Sequence, residues 1–232
     1  MRRWLAAALI LAAGPVASET IESARYADPT TRYAHGVLGD TVEHGTLELR
    51  TDAGRTLRIV LPDERVFEDT APRLVDLDQD NAPEVIVAEA HAKQGARMAI
   101  YGTEGLIATT PYIGQVFRWL AIAGAADLDG DGHMEIAYVD RPHLAKTLRI
   151  WRFRNGALTE VGTLPGVTNH RIGEVDITGG IRTCDGVPEV IVADANWREI
   201  LAIRLTSDAL SARRLGPHTD RESFAEAMAC AL

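Results

Sequence analysis

Aromatic side chains are scarce in this chain. Phe, Trp and Tyr make up 6% of its 232 residues, so a core has to be assembled mainly from Val, Ile, Leu and Ala. Basic residues are outnumbered as well: 24 Lys and Arg face 33 Asp and Glu, for a formal charge of −9. That balance argues against a nucleic-acid partner, whose binding rests on clustered cations that neutralise phosphates. Helical periodicity is nearly missing, and no low-complexity linker divides the chain. The signatures of common catalytic sites are missing too, with no GxSxG, no HExxH, no Walker loop and no Cys–His pair at a recognisable spacing. The glycine-bearing stretches GDTVEHG and GIRTCDG open no helix, so they are turns and not phosphate cradles.

Only one long apolar run occurs, Leu5 to Ala13. It follows Arg2 and Arg3 and precedes the small residues Ala17 and Ser18, the three-part pattern of an export signal. The run falls far short of the ~20 residues that a membrane-spanning helix needs. Residues 1–18 therefore read as a signal peptide cleaved near Ser18–Glu19, with a short retained anchor as the alternative. The mature chain, more acidic by the loss of two arginines, would have no transmembrane anchor and would be periplasmic or secreted. Its two cysteines, Cys184 and Cys230, are expected to bridge a late loop to the C-terminal tail in an oxidising compartment. Two free thiols are the alternative.

What the chain does have is a repeat. LVDLDQDNAPEVIVAEA, AADLDGDGHMEIAYVD and TCDGVPEVIVADANW each hold an acidic turn, a glutamate, a strand-like run and a closing acid. The glutamates Glu84, Glu135 and Glu189 are 51 and 54 residues apart, as are the closing acids Glu89, Asp140 and Asp194. Behind each run come an alternating strand (ARMAIYGTEG, KTLRIWRFRNG, EILAIRLTSD) and a shorter fourth one (LIATTPYI, ALTEVGTLP, ALSARRLGP). RYAHGVL, TLELRT, RTLRIVLP and RVFED echo the pattern without the aspartate-rich turn. About four units of four antiparallel strands at such a period predict an all-β fold, a β-propeller over residues 19–216. A β-sandwich competes but leaves the recurring acidic turn unexplained. Residues 217–232 are expected to form a tail helix, because Phe224, Met228 and Leu232 fall four apart.

The acidic turns carry the clearest chemistry. Asp127, Asp129 and Asp131 occupy positions 1, 3 and 5 of a tight loop, with the His133 carbonyl at 7 and Glu135 at 9. Calcium takes six to eight oxygen ligands, and this spacing gathers them around one ion. Gly130 and Gly132 let the backbone turn sharply, while Tyr138 at position 12 rules out an EF-hand. Asp76, Asp78, Asp80, the Ala82 carbonyl and Glu84 repeat the set, with Asn81 in the place of a glycine. A solvated acidic turn is the alternative, against which stands the mutual repulsion of the carboxylates. The third turn, with Asp176, Asp185 and Glu189, is interrupted by an insertion and leaves calcium there undecided.

These two loops, each running into PEVIVAEA or MEIAYVD, resemble FG-GAP repeats, also called VCBS repeats, whose best-known member is the integrin α-subunit propeller. The resemblance covers residues 70–200 well and the N-terminal unit weakly. It implies a propeller whose strand 1–2 loops bind Ca2+ on one face. It implies no reaction, since the family spans adhesion modules, carbohydrate-associated modules and some enzymes.

A ligand is then expected on the opposite face. The loops there carry Glu89, His91, Asp140, Arg141, His143, Asp194, Asn196 and Trp197, together with Arg118, Trp119, Asn169, His170 and Arg171. Of these, Asp140, Arg141, His143, His170, Arg171 and Trp197 are the candidate ligand-binding set, Trp offering a stacking surface and Arg reading a carboxylate or phosphate. Ordinary solvated loops, or a zinc site built on the histidines, are the competing readings. The functional expectation is an exported, calcium-stabilised binding module for a protein or carbohydrate-like polar ligand. A hydrolase or lyase using Asp140, His143 and His170 is the alternative, and a structural subunit of an envelope complex a third.

Overall fold

Three strands carry a continuous apolar run at their centre because each is buried on both faces. In the computed structural model, which describes residues 19–207 and 209–232, these are β6 (Glu84–His91), β10 (Glu135–Asp140) and β15 (Val187–Asp194). Side chains alternate across a strand. Ile86 and Ala88 of β6 therefore join the same cluster as Ile136 and Tyr138 of β10. Ala137 and Val139 turn the other way and pack with Val190 and Val192 of β15. Burial of each such aliphatic side chain contributes about 1.5–3 kcal/mol.

Around these central strands the chain builds three antiparallel sheets. The second is a plain meander of β9 (Leu120–Ala126), β10, β11 (Thr147–Arg154) and β12 (Ala157–Pro165). The third holds β13 (Val167–Thr168), β14 (Gly180–Cys184), β15, β16 (Glu199–Leu205) and β17 (Leu210–Pro217), with β13 and β14 both pairing with β15. The insertion seen in the third acidic turn lies between those two short strands.

The first sheet has eight strands. β4 (Arg65–Phe67) and β5 (Arg73–Val75) pair with β6, which continues into β7 (Gly95–Gly102) and β8 (Gly105–Thr109). β1 (Ile21–Thr30), β2 (Glu43–Thr51) and β3 (Thr56–Val60) join the same sheet through the single pair His44–Phe67. The sheet curls on itself, so that Leu47 and Leu49 of β2 bury against Val85 and Val87 of β6. This departs from the expected four separate four-stranded units. RYAHGVL lies in a loop, and the strand sits ahead of it in IESARYADPT, whose charged and half-exposed residues hide the alternation.

The outer face of the third sheet is covered by α1 (Arg221–Met228), which buries Phe224 and Ala227 against Ile191, Ala193, Ile200 and Ala202. Asp220 caps the helix by accepting from the Ser223 amide at 3.0 Å, a contact typically contributing about 1 kcal/mol. A helix thus fills the place where a further sheet would pack. Cys184, at the end of β14, is joined by a disulfide to Cys230 beyond the helix. Near the other end of the chain, the loop after β1 reaches the third sheet's long loop, where the Gly173 amide donates to the Val37 carbonyl at 3.0 Å. No helix among the described residues is long and apolar enough to cross a membrane. The proposed signal segment, residues 1–18, lies outside the described residues.

Candidate metal loops and the opposite loop face

The two acidic loops have the same internal wiring. In the first, Asp76 accepts from the amides of Asp80 and Asn81 at 3.1 and 3.0 Å, and Glu84 Oε2 accepts from the Leu77 amide at 2.8 Å. In the second, Asp127 accepts from Asp131 and Gly132 at 3.1 and 3.0 Å, and Glu135 Oε2 from Leu128 at 2.8 Å. Leu77 and Leu128 are buried and anchor each loop to the sheets. Gln79 and Asn81 take the positive φ angles that Gly130 and Gly132 take in the second loop. The loops also touch, as Gln79 Nε2 donates to the Gly132 carbonyl at 3.0 Å.

Each loop gathers three carboxylates whose ligand atoms lie within 4.8 Å of one another: Asp76, Asp78 and Glu84 in one, Asp127, Asp129 and Glu135 in the other. Asp80 and Asp131 stand outside these triads, and their carboxylates accept from the amides of Ala82 and His133 at 2.7 and 2.9 Å. An all-oxygen, carboxylate-rich donor set fits a hard cation such as calcium. In the first loop, burial pushes Glu84 and Asp78 up from their ordinary values, with neighbouring aspartate charges adding to the effect.

In the second loop a neighbouring strand offsets part of the charge. Arg152 of β11 places Nε 2.6 Å from Glu135 Oε1, one Nη 2.6 Å from Asp129 and the other 3.0 Å from Asp131. The third turn goes further. Asp185 and Gly186 form a two-residue hairpin turn, and Glu189 is held by Arg182 at 3.0 Å and Arg213 at 3.1 Å. Asp176 pairs with Arg221 at 2.5 Å instead of joining that turn. Among the described residues, no third carboxylate triad forms.

Residues 76–138 match the family model of the FG-GAP-like repeat, a span that begins at the first loop aspartate and takes in both loops. The chain carries an FG-GAP-like repeat. No curated protein sequence matches the chain.

The FG-GAP-like strands also fix where the other loops go. β10 starts at Glu135 in the second acidic loop and ends at Asp140, so the residues after Asp140 emerge at the opposite end of the sheet. Leu120 pairs with Asp140, and Val167 with Asp194, which brings the segments 117–119, 141–146, 169–175 and 195–198 to that same end. Gly95 helps to seat the first of them. Its φ of +71° and the close approach of the Gln115 carbonyl leave no room for a Cβ.

Here the candidate residues separate into groups. Asp140 is buried, and both its oxygens are taken, by Arg141 at 2.8 and 3.0 Å and by Arg149 at 3.0 Å. His143 and His170 meet at 2.9 Å. Arg171 stacks over Trp197 at 4.0 Å and donates to His218 at 3.2 Å. His143 and Arg141 line a cavity of about 260 Å³ together with His35, Phe117, Arg118 and Trp119. His35 and Phe117 were outside the sequence-derived site: His35 falls in the segment read as a strand, and the exposed Phe117 belongs to no repeated motif.

Proposed function

We propose that the protein is an exported, calcium-braced module of FG-GAP-like repeats, propeller-like in its stacking of antiparallel sheets, that binds a polar ligand or protein partner. The observation that carries this reading is the first acidic loop. Asp76, Asp78 and Glu84 converge there with no cationic side chain among their ion pairs or hydrogen bonds in the described residues. A divalent ion bound there would tie β5 to β6 and leave the far loop face free for recognition. The disulfide and the proposed signal segment support export. The hydrolase or lyase reading has less support, because both oxygens of the buried Asp140 are already engaged by arginines.

The deciding experiment is a calcium titration of the protein lacking residues 1–18, followed by calorimetry or thermal melting. An affinity of roughly 10⁻⁴ to 10⁻³ M is expected for an extracellular site of this kind. Identical melting curves in calcium and in chelator would rule the metal out. Partner capture from exported proteins, with the loop face intact or substituted, then tests recognition. Appearance of the reporter outside the cytoplasm when residues 1–18 are fused to it tests export.

A further inference from the structure

The cavity at the far loop face contains an unsatisfied base of defined tautomer. His170 Nε2 lies 2.8 Å from the Glu174 carbonyl, which can only accept, so Nε2 carries a proton. His170 is fully buried, and burial holds its pKa below the ordinary value, so the ring is neutral and Nδ1 is a lone pair. His143 Nε2, 2.9 Å from that lone pair, is therefore the donor. A neutral His143 is left with a bare lone pair on Nδ1, which has no hydrogen-bond partner among the described residues. The pairing turns a chain of two imidazoles into one fixed acceptor at the cavity wall.

The rest of the lining is largely apolar, apart from two arginines and His35, whose Nδ1 is taken by Glu68 at 2.5 Å. Trp119 is held by its Nε1, which donates to the Glu68 carbonyl at 2.7 Å, and its ring lies against His170 at 4.9 Å. Phe117, Leu144 and Ile172 expose large apolar surface at the mouth. Two arginines line the cavity, but Arg141 is already bound by Asp140 on two hydrogen bonds. Arg118 donates only to the Phe117 carbonyl and has no carboxylate partner among the described residues. An anion is the natural complement to its guanidinium.

We propose that this cavity binds a small organic acid with an aromatic or apolar body and one hydroxyl or N–H donor. The body packs on the exposed Phe117 and Leu144, with the buried Trp119 behind them, the donor bonds to His143 Nδ1, and the anionic group meets Arg118. The proposal rests on the reading that the face opposite the acidic loops is the binding face, and adds the chemistry of its ligand. The fit in size is reasonable, since about 260 Å³ accommodates a single substituted ring.

The test is an NMR titration of backbone amides and histidine ring nitrogens with three matched probes. These are 4-hydroxyphenylacetate, phenylacetate without the hydroxyl, and 4-hydroxyphenylethanol without the carboxylate. The expected result is a shift of amides 117–119, 141–144 and 172, with the first probe binding at least about tenfold tighter than either other. His143→Phe should remove the advantage of the hydroxyl only, and Arg118→Gln, at the open rim, that of the carboxylate only. Equal binding of the three probes, or no shift up to about 10 mM, would overturn the proposal. Shifts centred on residues 171 and 194–198 would overturn the ligand site while leaving the binding face intact. Shifts centred on the acidic loops would overturn both.

Discussion

Arg152 stands directly opposite Glu135 in the β10–β11 ladder, and its guanidinium reaches three of the acids of the second loop. The equivalent place is filled differently in each sheet. The Val85–Tyr101 pair puts Gly102 opposite Glu84, and the Val190–Ile203 pair puts Arg204 opposite Glu189. One repeated glutamate therefore meets no cation, one arginine, or several arginines. The need for a metal should fall in the same order.

Calcium should accordingly act through the first loop more than the second. Binding to the native state alone raises stability by about 2.7 kcal/mol at a hundredfold excess over Kd. Asp78→Ala should abolish most of the calcium-induced rise in melting temperature, and Asp129→Ala a smaller part. Arg152→Ala should lower the melting temperature in chelator and enlarge the calcium shift. Equal responses of the two loops would contradict the role given to Arg152.

Glu89 should be the most sensitive charged position of the first sheet. It is fully buried, and Arg65 at 3.2 Å, Arg97 at 2.8 Å and the Tyr101 hydroxyl all converge on it. Removing one partner of a buried ionic network costs about 3–5 kcal/mol, because the others stay desolvated. Chemical denaturation of Glu89→Ala measures this, and Asp63→Ala, an exposed acid 3.7 Å from Arg32, serves as the insensitive control.

Reduction should loosen the C-terminal clasp. Cys184 and Cys230 are 46 residues apart, and closing a loop of that length restricts the unfolded chain by about 4 kcal/mol on the entropy model. Arg182, bound to the Ala227 carbonyl and to Glu189, gives α1 a second attachment. Cys184→Ser with Cys230→Ser should lower the midpoint of unfolding without removing the helix, checked by circular dichroism. Free alkylatable thiols in the protein purified without reductant would contradict the clasp.

Two buried groups should shape stability against pH from opposite sides. Burial, with Glu68 and Asp40 nearby, pushes Glu43 up to about 9. Its contribution is complete below the unfolded value near 4.5 and is lost as pH rises through about 9. Burial, with His170 beside it, pushes His143 down to about 4. Its contribution is complete above 6.5 and is lost as pH falls toward 4. Glu43→Gln should therefore stabilise the protein at about pH 8, and His143→Gln should flatten the acid limb. Melting temperatures across pH read both.

The parts of this fold that were legible in the sequence are those where one strand answers to one constraint. β6, β10 and β15 are buried on both faces, so their apolar runs survive in any window of the sequence. The acid spacing of the two loops is likewise local, set by hydrogen bonds within nine residues. What was hidden depends on register. Arg152 is 17 residues from Glu135, and only the antiparallel pairing brings them together. β1 was hidden by its half-exposed face, and the cavity by drawing His35, Trp119 and His143 from three distant loops. That α1 would cover the third sheet in place of more strands was equally out of reach, since periodicity shows a helix but not its seat.

The bond from Gly173 to Val37 spans 136 residues. Val37 is buried in one cluster with Trp119 and Leu120, and Ile177 packs against that cluster. A chain emerging from its first residue meets that lid only after two sheets have been made, so the early loop must wait uncovered while local meanders condense around it. Contacts of such long sequence separation slow folding because loop closure comes before any reward. A chain that lacks the third sheet would therefore present Val37 and its neighbours to whatever apolar surface is near.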